Sequence, residues 1–291
     1  MWKNHIIRLY VIKMIQKSYD GSPTLYIVPT PIGNLEDITL RALNILKTVD
    51  VIFAEDTRTT KQVLNHFNIN KKLISSHLYN ETKNENKEIE YLKNGQNIAV
   101  VSDQGTPIIS DPGYILVKNA IKEGYNVVCL PGPTALIPAL VMSGLSGGPF
   151  LFYGFLNSKE SQRIKELETL KQTPYPIAFY EAPHRLIKTL KNIQEILGNR
   201  NIAIVREISK KYEEVIRGTV ENILKTVENL KGEIVIIVEG NHENPTFENL
   251  SVKEHVNLYI EDGLTPNEAI KKVAKERGVP KSQIYNEYHN L

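Results

Sequence analysis

Residues 97–113 read NIAVVSDQGTPIISDPG, and residues 126–135 read NVVCLPGPTA. Each segment is a short apolar run that ends in a loop rich in glycine and proline, and a helix-like pattern follows each loop. This order is typical of strand–loop–helix units in α/β sheets, which bind ligands beyond the carboxyl ends of their strands. We therefore expect the two loops to lie on neighbouring strand ends and to form a small-molecule pocket with walls of backbone.

The same alternation of strand and helix signals extends through the first half of the chain. Strands are predicted over 25–28, 49–54, 97–101 and 126–130, and helices over 38–47, 59–67, 84–92, 113–123 and 134–143. Strands that alternate with helices of this length indicate βαβ units and a mainly parallel sheet. The glycine, serine and proline residues of 144–149 then mark a domain boundary.

The second half repeats the alternation with one difference. Strands are predicted over 150–155, 176–180, 201–205, 214–218 and 232–238, and helices over 159–171, 183–197 and 219–229. Only residues 206–213 separate the third and fourth of these strands, which is too short for a parallel crossover. A hairpin is expected there, so the second sheet should be mixed.

The last part of the chain has the pattern of a small helical module. Residues 241–245 are polar and predict a linker. Thr265, Pro266 and Glu268 form a helix start, in which Thr265 caps, Pro266 takes the first helical position and Glu268 closes a capping box. A glycine and a proline in 278–280 end that helix before a last one near 281–289, which is the outline of a helix-turn-helix.

These patterns predict an α/β protein with two α/β domains, the first with a mainly parallel sheet and the second with a mixed sheet, and a cleft between them. The expected divisions are an N-terminal extension over 1–23 that is disordered, domains over 24–146 and 149–240, and a helical module over 251–291. Met14 is an alternative start of the chain.

Composition places limits on the function. The 291 residues are 41% hydrophobic and 23% charged, which is typical of a globular protein. The net charge of +2 is too small for the whole protein to attract polyanions such as nucleic acids. The one cysteine, Cys129, fits a reducing cytoplasm, and we interpret it as a small core residue. Since the chain lacks the ~20 uninterrupted apolar residues of a membrane span, no membrane association is expected.

Several common signatures are missing. The sequence has no G-x-x-x-x-G-K-[ST] and no G-x-G-x-x-G after a strand, so neither a P-loop nor a Rossmann dinucleotide site is indicated. It has no H-E-x-x-H and no cluster of Cys and His with metal-ligand spacing, so we expect no metal.

Polar residues follow the predicted strands at four further places. They are the segments 29–34, 55–58, 181–185 and 206–213. Together with Asp103, which can accept hydrogen bonds from a ligand, and Gly105, which lets a ligand approach the main chain, they would line a cleft between the two α/β domains. The alternative interpretation is a set of solvated turns and helix caps.

Five motifs in this order resemble the tetrapyrrole-methylase superfamily. They are YIVPTPIGNLEDIT over 26–39, AEDTR over 54–58, the loop over 102–113, PGPTA over 131–135 and YEAPHR over 180–185. The resemblance covers about residues 24–240 and includes a similar C-terminal helical extension. Gln104 stands where members of the superfamily often carry alanine.

The resemblance implies an S-adenosylmethionine site in the cleft. It implies 2′-O-methylation of the ribose of a cytidine in the decoding region of small-subunit (16S) rRNA, by a cytoplasmic homodimer that acts on the assembled small ribosomal subunit. The cofactor contacts that it carries over are Pro31, Asp103, Gly105, Thr106, Ile108, Pro133, Thr134, Ala135 and Tyr180.

Methyl transfer from a sulfonium needs alignment and removal of the hydroxyl proton rather than a metal. The candidates for removing that proton or orienting the hydroxyl are Glu55, Asp56, Arg58, Glu181, Glu207 and Lys210. Structural ion pairing among the same residues is an equal alternative.

Basic side chains near the cleft and in the helical module are candidates for RNA phosphate contacts. They are Arg58, Lys61, His184, Arg185, Arg206, Lys210 and Lys211 near the cleft, and Lys271, Lys272, Lys275, Arg277 and Lys281 in the module. Two other functions remain open: methylation of a tetrapyrrole or of a protein side chain, and a non-catalytic RNA-binding module.

Overall fold

The computed structural model of the chain describes residues 15–18, 20–75, 81–111, 113–228, 230–241 and 250–289, with the backbone alone over 81–86. The chain divides into two compact units, Met1–Gly240 and Asn241–Leu291. Residues 1–14 and 19 of the expected extension and 242–245 of the expected linker lie outside the described residues. Gln16, just before the first strand, exchanges two side-chain hydrogen bonds with the backbone of Val127, at 2.7 and 2.9 Å.

The first sheet is wholly parallel and has the order β3-β2-β4-β1-β5. Its strands are β1 Thr24–Ile27, β2 Val51–Ala54, β3 Lys72–Ser75, β4 Ile98–Val101 and β5 Asn126–Cys129. The helices of this half are α1 Leu40–Thr48, α2 Thr57–His66, α3 Glu81–Lys93, α4 Tyr114–Lys122 and α5 Leu136–Ser143.

Helices cover both faces of this sheet. Leu46 of α1 and Leu64 of α2 pack on the face that carries Tyr26 of β1. The opposite face carries Leu25 and is covered by α3 and by Leu116 of α4. The central strands are buried on both faces, which is why they appear in the sequence as continuous apolar runs.

Three expectations about this half are corrected. The strand β3 was not predicted, because KLIS is a half-polar edge strand and not a buried apolar run. The two glycine-rich loops do not lie on neighbouring strands, since β1 separates β4 from β5. Cys129 is exposed at the end of β5 instead of packing in the core.

The second sheet is mixed, as the sequence predicts, and has the order β6-β7-β10-β8-β9. Its strands are β6 Leu151–Phe155, β7 Ile177–Glu181, β8 Asn201–Arg206, β9 Glu214–Thr219 and β10 Ile234–Val238, and its helices are α6 Glu160–Leu170, α7 Leu186–Leu197 and α8 Val220–Thr226. The pair β6–β7 is parallel and the other pairs are antiparallel. The expected hairpin is the pair β8–β9, and the predicted fold class is confirmed.

Helix α5 joins the two sheets. The three helices α6, α7 and α8 cover one face of the second sheet. On the other face, Ala139 and Leu140 of α5 pack with Ala203, Val235 and Ile237. The first half of the chain thus completes the core of the second half, and the expected division between 146 and 149 stays a prediction.

The described residues of the C-terminal unit form three helices around their own core: α9 Val252–Glu261, α10 Pro266–Arg277 and α11 Lys281–His289. Capping boxes begin two of them, with Ser251 and Glu254 at α9 and Thr265 and Glu268 at α10. Across the described parts of the chain, no helix is both long and apolar enough to cross a bilayer.

Leu140→Ala tests the role of α5 as a shared core element. The Leu140 side chain is buried against the second sheet, so its truncation should lower the free energy of unfolding by about 3 kcal/mol. Val141→Ala removes methyl groups from the next residue of the same helix, which is 72% exposed, and should change stability little. Chemical denaturation measures both variants, and equal losses would contradict this packing.

Candidate functional site

The loop after β1 lies between the loops that follow β4 and β5 and is bonded to the first of them. Thr30 and Gly105 form an isolated antiparallel bridge, in which each backbone N–H donates to the other residue's carbonyl at 2.9 and 3.0 Å. The buried Thr30 hydroxyl also donates to the Ser102 carbonyl at 3.1 Å. The bridge fixes the position of these two loops relative to each other.

The loop after β5 contacts both the loop after β4 and the loop after β1. The Thr106 hydroxyl donates to the Pro133 carbonyl at 3.1 Å. Gly132 packs so closely on Pro29 that an added Cβ would lie 2.6 Å from the proline Cβ. Three loops at one sheet edge therefore form one assembly, held by a backbone bridge, a hydroxyl–carbonyl bond and the contact of Gly132 with Pro29.

The loop after β4 holds backbone conformations that side chains rarely adopt. Gly105 has a φ of 75°, Ile108 one of 82° and Ser110 one of 67°. A positive φ is unusual for any residue with a Cβ and is a clear outlier for a β-branched one such as Ile108. Because strain of this kind concentrates at ligand sites, it supports the interpretation of this loop as a binding loop.

Two carboxylates meet where β2 and β4 end side by side. The Asp103 N–H donates to Glu55 Oε2 at 3.4 Å, and the Asp56 N–H donates to Asp103 Oδ1 at 3.1 Å. These bonds place Glu55 and Asp103 next to each other.

A third carboxylate, Asp111, lies close to these two and was not among the predicted site residues. Its pKa is raised to about 6, first by burial and then by the negative charges of Glu55 and Asp103, against the lowering effect of a hydrogen bond with Ser102. The signal was available in the sequence, because Asp111 belongs to the same loop as Asp103. A carboxyl group that loses its proton near neutral pH is suited to proton transfer.

Tyr180 of β7 forms a wall of the same site from the second sheet. It hydrogen-bonds with Thr134 of the loop after β5, and the charge of Asp111 acts on it, although burial is the main cause of its raised pKa. Phe152 and Phe155 of β6 pack against its ring, with centroids 5.0 and 5.5 Å away. The site therefore lies between the two sheets.

The remaining predicted cofactor residues lie in the same three loops. Pro31 adjoins Thr30 in the loop after β1, and Ile32 of that loop packs on the second sheet together with Ala135.

Asp56 and Arg58 pair with each other at the start of α2. Arg58 donates from Nε and Nη2 to the Asp56 carboxylate, with the shortest bond at 2.7 Å, and Asp56 also caps the helix by accepting from the Arg58 N–H. The hydrogen bonds from Arg58 lower the pKa of Asp56 to about 2. The Arg58 side chain is 88% exposed, so it can still contact another ligand.

Glu181 lies apart from this group, buried within the second half. Its carboxylate accepts from the Ala182 N–H at 2.8 Å and from the Thr189 hydroxyl at 2.5 Å, and it pairs with Arg185 at 3.1 Å. Arg185 in turn donates to the Leu156 carbonyl at 2.6 Å. These contacts orient the turn that follows β7, beside Tyr180.

Glu207 and Lys210 form a third group with Glu233. Lys210 Nζ lies 3.3 Å from Glu207 Oε1 and 2.9 Å from Glu233 Oε2. The pKa of Glu207 is lowered, mainly because its carboxylate accepts the Glu233 N–H. The stem of Lys210 packs on Gly33, so this group joins the turn after β8 to the loop after β1.

Gly132→Ala tests the contact between the loops after β1 and β5. The new methyl group would overlap the Pro29 ring and push the loops apart, so we expect the free energy of unfolding to fall by about 1–3 kcal/mol. Gly147→Ala is the matched control, because no atom lies within 4 Å of its added Cβ. Thermal denaturation compares them, and an unchanged midpoint for Gly132→Ala would show that the loops are not in close contact.

Comparison with known proteins agrees with this geometry. Residues 24–224 match the family described as Tetrapyrrole (Corrin/Porphyrin) Methylases. A protein of Bacillus subtilis named ribosomal RNA small subunit methyltransferase I is 49% identical over 285 residues, which is 94% of this chain and 98% of the relative. A Synechocystis protein of the same name is 41% identical over 266 residues, covering 90% and 95% of the two chains.

Solved structures share the fold at much lower identity. Uroporphyrin-III-C-methyltransferase from Thermus thermophilus is 19% identical with a TM-score of 0.54, and the match covers 74% of this chain and 94% of that one. A diphthine synthase is 13% identical with a TM-score of 0.58, covering 75% and 90%. The chain therefore belongs to the tetrapyrrole (corrin/porphyrin) methylase family and is an S-adenosylmethionine-dependent methyltransferase.

Proposed function

We propose that this protein transfers the methyl group of S-adenosylmethionine to small-subunit rRNA, at the ribose 2′-hydroxyl of a cytidine in the decoding region. The observation that carries the proposal is the three-loop assembly of a methylase fold in a chain that is 49% identical, over 94% of its length, to a protein named ribosomal RNA small subunit methyltransferase I. We further propose that it acts as a homodimer on the assembled small subunit.

The residues at the cleft fit the cofactor. Gly105 carries no side chain and has a φ of 75°, which lets its main chain approach a ligand closely. Asp103 keeps one carboxylate oxygen beyond the one that accepts the Asp56 N–H, and can accept hydrogen bonds from ligand hydroxyl or amino groups. We assign the binding role to Pro31, Asp103, Gly105, Thr106, Ile108, Pro133, Thr134, Ala135 and Tyr180.

The cofactor supplies, when bound, a methyl group already activated by its sulfonium. The protein must then align the ribose hydroxyl and take up its proton. The three loops and Tyr180 align the hydroxyl. The loops are held together by the hydrogen bonds between Thr30 and Gly105 and between Thr106 and Pro133. We assign the uptake of the proton to Asp111, with Glu55 beside it as the second candidate, because Asp111 lies close to Glu55 and its pKa is raised to about 6.

The other candidate residues support the site or bind the substrate. Asp56 and Arg58 hold the start of α2 against the Asp103 loop, and Arg58 extends into solvent where substrate arrives. Glu181 orients the turn after β7, and the Glu207–Lys210 pair holds the turn after β8 against the loop after β1. The C-terminal module, with its basic helix α10, is assigned to substrate binding because Lys271, Lys272 and Lys275 lie on it.

Methyl transfer to intact small ribosomal subunits and to protein-free 16S rRNA tests the proposed substrate. We expect transfer to one cytidine of the decoding region on intact subunits, with the methyl group on the 2′-oxygen, and weaker transfer to protein-free rRNA. Calorimetry should show S-adenosylmethionine binding, and light scattering the mass of a dimer. Absence of methylated rRNA from both substrates, despite cofactor binding, would refute the rRNA assignment.

Asp111→Asn tests the proton acceptor. The variant should lose about 100-fold in kcat at pH 8 while its affinity for S-adenosylmethionine stays within a few-fold, because general-base catalysis contributes on that scale. In the wild type, kcat should fall as the pH drops below about 6, since the Asp111 carboxylate takes up a proton there.

The exposed Glu195 on α7 supplies the control, Glu195→Gln, which should leave both quantities unchanged. If Asp111→Asn retains wild-type turnover and the same pH profile, the proton acceptor is another group.

A further inference from the structure

A groove runs along the outer side of α2, next to the edge strand β3. Its volume is about 380 Å³. Thr57, Arg58, Lys61 and Leu64 line one side at helical spacing, and the approach to β3, with Asn70 and Lys71, lines the other. We call it the α2–β3 groove. The part of α2 that lines it, from Thr57 to Asn65, is about 12 Å long at 1.5 Å per residue.

The charge of the groove is one-sided. Among the lining residues that the structure describes, Arg58, Lys61 and Lys71 are cationic and none is acidic. Within the part of the chain that the structure describes, Arg58 pairs with Asp56, whereas no ion pair involves Lys61 or Lys71. The groove therefore carries an excess of positive charge that calls for an anionic ligand.

The lining also indicates which part of a nucleic acid would fit. Asn65 and Asn70 add amide groups that hydrogen-bond to phosphate and sugar oxygens, while Leu64, Ile69 and Leu73 supply the apolar surface. Stacking of unpaired bases uses aromatic side chains, and the lining residues that the structure describes include none. These groups are suited to a phosphodiester backbone and not to base recognition.

The groove begins at the proposed active site. Arg58 lies in the first turn of α2, directly after the carboxyl end of β2, where Glu55 meets Asp103. The Asp56 N–H bonded to Asp103 Oδ1 fixes this end of the helix to the loop after β4. A strand whose ribose lies at the carboxylates can continue along α2 from Arg58 past Lys61 to Lys71.

We propose that the α2–β3 groove binds the phosphodiester backbone of the substrate RNA next to the nucleotide that is methylated. This inference rests on the proposed function and adds a defined path for the strand. The contacts are electrostatic, so they position the RNA without reading its sequence.

The double variant Lys61→Ala/Lys71→Ala removes two cations of the groove and leaves the proposed catalytic residues intact. Each phosphate contact with single-stranded RNA contributes about 0.7 to the slope of log K against log salt concentration. The double variant should therefore bind rRNA about tenfold more weakly at moderate salt, with a slope smaller by about 1.4. Its affinity for S-adenosylmethionine should not change.

Lys118→Ala is the matched control. Lys118 is an exposed lysine on α4, and α4 covers the opposite face of the same sheet. Filter binding of protein-free 16S rRNA and of small subunits, over a range of salt concentrations, measures the affinity and slope of each variant. Kinetics with the better substrate should show a raised KM and an unchanged kcat for the double variant alone.

The outcomes separate the two proposals. An unchanged affinity and slope in the double variant, with an active wild type, would refute the groove alone. A loss seen with assembled subunits but not with protein-free rRNA that the wild type binds would assign the groove to a ribosomal protein and also overturn the inference. A wild type that neither binds nor methylates rRNA would refute the proposed function itself.

Discussion

The backbone bridge between Thr30 and Gly105 is the constraint on which the rest of the site depends. It joins the loop after the central strand β1 to the loop after β4, and Gly132 packed on Pro29 adds the loop after β5. Because these contacts are made by main chain and by proline rings, they fix the inner surface of the cleft with few rotatable bonds. Ile32, from the same loop as Thr30, packs on the second sheet, so the bridge also sets the position of the opposite wall.

The acidic residues of the two α/β halves fall into two groups: those that stabilise the structure and those that can take part in proton transfer. Glu181 and Glu207 are neutralised by Arg185 and Lys210, and Asp56 by Arg58, which makes them parts of the framework. Asp111 instead lies among other carboxylates in a half-buried place, and its pKa rises toward neutrality. The same residue type thus serves structure or chemistry according to whether a cation is within reach.

Substrate and cofactor are expected to approach from different sides of one sheet edge. The cofactor loops follow β1, β4 and β5, whereas β2 ends in the Glu55–Arg58 segment that leads into the α2–β3 groove. The strand order places β2 directly beside β4, so the path proposed for the RNA starts next to the cofactor loops. The proposed path for the RNA thus lies at an edge of the sheet that the buried core does not use.

The sequence by itself determined the α/β class, the mixed second sheet and the helix that begins after Thr265, because periodicity, turn residues and capping are local. It did not reveal β3, whose half-polar edge position gives no apolar run, nor the place of β1 between β4 and β5. Contacts between residues far apart in the chain determine three further features. They are the strand order, the position of α5 between the two sheets and the proximity of Asp111 to Glu55 and Asp103. Only the tertiary structure decided which carboxylates are paired with cations and which cations face an open groove. Pairing and burial depend on the neighbours that folding brings to a residue, and the residue type alone does not set them.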